Sequence, residues 1–219
     1  MDLTQFTYWQ QHLQNAPAML TLATDKQRRA VSAAQTAVVT TGLSPTTLAV
    51  LPDGEATAVN HLLATYVLLL MRHSQQNEIV VGVPVAEQIL PLRLNLGDKT
   101  RFDQLAVQTA VSYTAVQANA VPLAELITAL QPAHDDSYAP FFQVVFATSP
   151  LPETGFNPLL DLTLAVQATA DGWQCQWHYR ADLFTEHRVQ QLATHFETLL
   201  ENIAHCPDTP AADLSIISA

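Results

Sequence analysis

Residues 55–73, EATAVNHLLATYVLLLMRH, constrain the fold more than any other stretch. Leu62, Leu63, Tyr66, Val67, Leu69 and Leu70 cover much of a helical circumference, so a helix here has to be buried on several sides. EIVVGVPVA follows closely, and its continuous apolar run is the kind expected of a strand covered on both faces. A chain carrying both needs a sheet with helices packed against it, and 219 residues at 48% hydrophobic content suffice to bury such a core in one domain. The helix does not read as a membrane span. Asn60, His61, Thr65 and Tyr66 interrupt it, and the run is too short for the ~30 Å of hydrocarbon.

The remaining elements follow from periodicity and punctuation. Residues 4–14 form a short amphipathic helix with Phe6, Trp9 and Leu13 inward, stopped by Pro17. Val38, Val39, Thr40 and Thr41 favour a strand over 35–43, closed by Gly42. Alternating Leu90, Leu92, Leu94 and Leu96 predict a strand with one buried face. A helix over 100–117 turns Phe102, Leu105, Ala106, Ala110 and Tyr113 inward, and Pro122 introduces a shorter one, LAELITAL. FFQVVFAT reads as a strand, and DLTLAVQAT and WQCQWHYRA as two more around Asp171-Gly172, a hairpin signal. Thr185 caps a last helix to about Cys206, with Val189, Leu192, Phe196, Leu199, Leu200 and Ile203 as its apolar stripe. The reading is one α/β domain over residues 1–206, a mixed β-sheet packed with helices, and a linker-like tail over 207–219.

Composition excludes several functions. Twenty acidic against nine basic residues give a net charge of -11, which argues against a phosphate-tracking nucleic-acid site. Cys175 and Cys206 form no CxxC pair or disulfide framework, and MDLTQFTYWQQHLQ is no signal peptide, so a cytoplasmic setting is expected. The eight histidines show no HExxH or HxH spacing, so no metal is expected, and His187 and His195 read as solvated or capping side chains. The six glycines compose no phosphate loop, and no cofactor is expected. Asp135 and Asp136 read as a turn rather than a cation or acid-base pair, and Trp173 and Trp177 share one strand face for packing.

Several segments, taken in order, resemble the second half of condensation domains from nonribosomal peptide synthesis, in the chloramphenicol-acetyltransferase-like superfamily. YWQQHLQNAP and LTLATDKQRR resemble its Tyr-Trp and Leu-Pro-Thr-Asp-x-x-Arg-Pro stretches through Tyr8, Trp9, Leu13, Pro17, Thr24, Asp25 and Arg28. RHSQQNEIVVGVPVAEQ is similar to Arg-Tyr-Ser-Gly-Gln-x-Asp-Ile-x-x-Gly-x-Pro through Arg72, Ser74, Gln76, Ile79, Gly82 and Pro84. The most specific likeness is HDDSYAPFFQVVFA to Arg-Asp-x-Ser-x-Asn-Pro-Leu-Phe-Gln-x-x-Phe, through Asp135, Ser137, Pro140, Phe142, Gln143 and Phe146. YRADLFTEHRVQQLATHFETLLENI resembles the closing strand and helix, including Asp182, Leu183, Phe184, His195, Phe196, Leu199 and Leu200. The resemblance implies a single lobe of the two-lobed fold.

Departures point away from catalysis. The family's catalytic His-His-x-x-x-Asp-Gly motif belongs to the other lobe, which precedes the region matched, and no two histidines are adjacent here. VPVAEQ passes almost directly into ILPLRLNL where the family carries a floor loop, and SPLPETGFNPLL stands for a longer latch. At ANAVPLAEL the family's acidic and aromatic positions become Ala120 and Leu123, and in the later motif its Arg and Asn become His134 and Ala139. The resemblance therefore implies no catalytic residue in this chain, whose activity as an enzyme stays open. The expected function is a structural or interaction module that meets an adenylation domain or another assembly-line protein. ADLSIIS resembles the start of a condensation-to-adenylation linker, with Leu214, Ile216 and Ile217 as contacts; a frayed terminus is the alternative. Half of a split condensation enzyme, transferring acyl or peptidyl groups between carrier proteins, and a self-associating homodimer are the competing readings.

Overall fold

The computed structural model describes residues 1–217 except 29–34, 98, 134 and 149–158. The chain opens with α1 (Leu3–Leu13), started by a capping box in which Asp2 accepts from the Gln5 amide and Gln5 returns to Asp2. Then come β1 (Thr36–Gly42), α2 (Pro45–Val50) and the long α3 (Glu55–Ser74). Strands β2 (Glu78–Val85) and β3 (Gln88–Asn95) precede α4 (Phe102–Ala118) and α5 (Leu123–Leu130). The last part is β4 (Val144–Ala147), β5 (Leu162–Thr169), β6 (Gly172–Arg180) and α6 (Glu186–His205), with a 3-10 turn at Ala211–Asp213.

The six strands form one mixed sheet in the order β1-β6-β5-β4-β2-β3, with β4 parallel to both neighbours and the other pairs antiparallel. Strand parity divides the core. Ile79, Val81, Val83, Val144, Phe146, Leu162, Leu164 and Trp177 join the main cluster with α3 and α6. On the other face Val80 and Val145 meet Ala139, Phe142 and Leu160 in a smaller cluster, edged by Leu13 and Leu123. Every predicted inward position of α6 is buried, and Thr185 accepts from the Arg188 amide as its N-cap.

Four local expectations shift. On α4 the buried positions are Phe102, Leu105, Thr109 and Val116, while Ala110 faces solvent; the Thr109 hydroxyl is satisfied by the Leu105 carbonyl, so a polar residue tolerates the core side. Phe141, Phe142 and Gln143 precede β4 rather than belonging to it. Gly172 is the first residue of β6, with Ala170 and Asp171 as the turn, and its φ of +127° favours glycine. Finally, the segment after Pro207 folds back: Pro210 bridges Arg101, the Ala211 amide donates to Thr100 O at 2.8 Å, and Arg72 donates to the Ala212 and Leu214 carbonyls. No described helix is long and apolar enough to cross a membrane.

Candidate functional site

The residues of the most specific motif form one continuous construction on the second face of the sheet. Asp135 accepts from both the amide and the hydroxyl of Ser137, at 2.7 and 2.6 Å, which fixes the turn read from sequence. The Ser137 carbonyl receives two guanidiniums, Arg28 at 3.2 Å and Arg180 at 2.9 Å. Both belong to a buried charge network: Arg28 grips Asp161 through two nitrogens, while Arg180 lies 3.8 Å from Asp161 and pairs bidentately with Asp182. Burial pushes the Asp161 carboxyl upward, and Asp161 in turn raises Arg28. Asp161 went unremarked in the sequence, since nothing local marks a carboxylate 133 residues from its partner.

Beyond Pro140 the backbone tightens. The Phe142 amide donates to the Pro140 carbonyl at 2.9 Å across Phe141, whose φ is +67°, a γ-turn of the strained hand. This turn sends Phe142 onto Gly82, where a Cβ would fall 2.6 Å from the ring. Gln143 is fully buried and satisfied, accepting from the Leu20 amide at 2.8 Å and donating to the Ala18 and Ala139 carbonyls. Phe146 packs near Tyr66, with ring centroids 6.1 Å apart.

Beside this loop lies a groove of about 470 Å³, between α1 with residues 16–18 on one side and the end of α5 on the other. Phe141 lines it, with Phe6, Leu13, Leu130 and Pro132, and Gln10 and Gln14 at polar positions. Gln143 ties the Ala18 wall to the motif loop. Its described lining holds no nucleophile-base pair.

Of the three predicted tail contacts, Leu214 is only 2% exposed in this chain's own core, and Ile216 packs against that core. Leu214 is therefore corrected from an outward contact to a core residue, because Arg72 draws its carbonyl onto α3. Ile217 is 68% exposed. His134 and residues 149–158 of the predicted short latch lie outside the described residues.

His195 is corrected from a solvated role. Its Nδ1 lies 3.0 Å from His73 Nε2, joining α3 to α6. Burial first, then the neighbouring charges of His195, Arg188 and Arg72, hold His73 down at about 4; burial and Arg188 also lower His195. His12 is held at about 4 by burial and Arg93, and accepts from the Arg93 amide at 3.1 Å. Among the described residues no three His, Cys, Asp or Glu side chains converge as metal ligands.

The condensation-domain family model matches residues 3–219. A linear gramicidin synthase of Brevibacillus parabrevis is 31% identical over 98% of this chain, and phosphinothricin tripeptide synthetase PhsB of Streptomyces viridochromogenes 27% identical over 95%. The chain spans 5% and 21% of the lengths of those relatives. Among solved structures, the complex of the X-domain and OxyB from teicoplanin biosynthesis matches with a TM-score of 0.85 at 23% identity, covering 99% of this chain and 56% of that one. A four-domain nonribosomal peptide synthetase bound to AMP and glycine matches with a TM-score of 0.87 at 17% identity, over 100% of this chain and 20% of that one.

Proposed function

The chain belongs to the condensation-domain family, and on that premise we propose that it is a truncated, non-catalytic condensation domain of a nonribosomal peptide synthetase. In this reading it is a C-terminal lobe acting as a structural or protein-interaction module in peptide natural-product biosynthesis. The observation that carries it is the join between β2 and β3. Val85 pairs directly with Gln88, so only Ala86 and Glu87 form the turn, where the family resemblance implies a floor loop reaching the other lobe. Agreement comes from the gramicidin synthase alignment, which runs over 252 positions against 219 residues in this chain, so at least 33 of its positions face gaps here.

Shortening at this join removes a crossover that a two-lobed enzyme needs, while the motif residues that remain hold a packed loop beside the groove. The X-domain in complex with OxyB is a precedent for this fold meeting a partner protein. For this chain we assign the partner to the assembly line, an adenylation domain in the first instance, with exposed Ile217 and the flank of Ile216 as the contact. A split enzyme completed by a second lobe is the competing outcome.

Biolayer interferometry of the full chain against an adenylation domain of a nonribosomal peptide synthetase tests the assignment. Saturable binding that Ile217→Glu weakens about tenfold or more supports it. Absence of binding, or binding indifferent to Ile217, removes the adenylation contact.

A further inference from the structure

The two edges of the sheet are treated in opposite ways. Along an edge strand, backbone groups point alternately to the partner strand and to the outside. On β3 the Leu96 amide donates back to Asn77 at 2.8 Å, which turns Pro91 and Arg93 outward. Pro91 has no N–H to offer, and the Arg93 N–H is taken by His12 Nε2 at 3.1 Å. The Arg93 guanidinium then binds the His12 and Gln14 carbonyls, so α1 closes this edge against a further strand.

Among the described residues, edge strand β1 has none of these devices. The Ala181 amide donates to Gln35 at 2.7 Å and the Leu43 amide to Trp173 at 3.0 Å, so odd-numbered residues face β6. Thr36, Val38, Thr40 and Gly42 turn their N–H and C=O groups outward, and β1 ends the strand order. TAVVTTG contains no proline and no charge, and Val38 is 50% exposed. No charged residue occurs between Arg29 and Asp53 in a chain of net charge -11. Two copies of so acidic a chain repel over most approaches, whereas the strand itself brings no charged side chain to this one.

We propose that β1 pairs antiparallel with β1 of a second copy about a twofold axis, joining two six-stranded sheets into one. The register that uses all four outward residues sets Val38 opposite Thr40 of the second copy and Thr36 opposite Gly42. It keeps even-numbered side chains on one face, as the pleat requires. A cleft of about 230 Å³ lined by Thr41, Leu43, Ala193, Phe196 and Glu197 adjoins the end of the strand, where Glu197 is held by the Ser44 amide and the Thr47 hydroxyl, and extends the contact onto α6. This inference rests on the edge itself and not on the adenylation-domain assignment.

Sedimentation velocity from low micromolar to several hundred micromolar protein reads it out. A monomer-dimer equilibrium is expected, weakened about tenfold or more by Thr40→Pro, which removes an outward N–H that β6 does not use, and by Val38→Lys. Val107→Lys, on the exposed face of α4, should leave it unchanged. If Thr40→Pro fails to fold, Val38→Lys and hydrogen exchange decide: the Thr36, Val38 and Thr40 amides should gain protection as concentration rises. A chain monomeric throughout, a dimer that survives Val38→Lys, or no gain of protection overturns the proposal. Binding to the adenylation domain through Ile217 is indifferent to these variants, so the two readings fail separately.

Discussion

Gly82 and Phe142 form a matched pair: the ring occupies the space a side chain at 82 would fill. Phe142→Ala should cost about 3–5 kcal/mol, and Gly82→Ala about 1–3 kcal/mol by overpacking against a ring that cannot retreat. In the double variant the ring no longer crowds the added methyl and only the Ile89 methyl, 2.7 Å away, still does, so urea unfolding should show a loss smaller than the sum by more than ~0.5 kcal/mol. Strict additivity would remove the contact. Asp161→Asn removes the charge that Arg28 grips through two nitrogens while Arg180 keeps its bidentate Asp182, and a loss of about 1–3 kcal/mol is expected in the same measurement. A change under ~1 kcal/mol would make the network incidental. Phe142 was legible as core because it lies in an apolar run, but the pairing with Gly82, sixty residues earlier in the chain, was not. Nor was the γ-turn at Phe141, since an aromatic residue at positive φ is imposed by tertiary packing and contradicts local preference.

Legibility at the scale of elements followed the strength of the local signal. Helix α6 carried a cap, a stripe and a closing proline, and it formed as written; β4 shrank to Val144–Ala147 because the γ-turn at Phe141 bends the chain just before it. Contacts between helices were invisible, above all His73 with His195. These histidines give the chain an acid-sensitive interior. His12, His61 and His73 are each held near 4, chiefly by burial, against 6.5 when exposed. The unfolded chain therefore takes up protons first as pH falls. Their contribution is fully present above about pH 6.5 and is lost progressively toward pH 4. Thermal melts should show Tm steady from pH 8 to 7 and falling between pH 6.5 and 5, before most carboxylates protonate. His12→Gln, which keeps an acceptor for the Arg93 amide, should flatten that slope. A Tm flat across this interval would contradict the burial of these rings.

The whole molecule is a sheet with a large helical core on one face, a smaller motif-bound cluster on the other, and a tail returned to α3. The α/β architecture was legible because the apolar helix and the two-sided strand admit few alternatives; the strand order was not, because β1 joins β6 across more than 130 residues. The family was legible only through motif resemblance, carried above all by the loop around Asp135, Ser137, Phe142 and Gln143, while no two histidines are adjacent. General-base chemistry supplies ~10²–10⁴-fold in rate, and in the proposed non-catalytic reading this chain supplies no base for it. The most direct measurement is intact-protein mass spectrometry of paired carrier proteins, one loaded with an acyl or aminoacyl donor and the other with an aminoacyl acceptor, incubated with the purified chain. The account predicts no condensed product above the carriers alone, with loaded masses unchanged. Turnover that disappears on substituting a single histidine of this chain would contradict it.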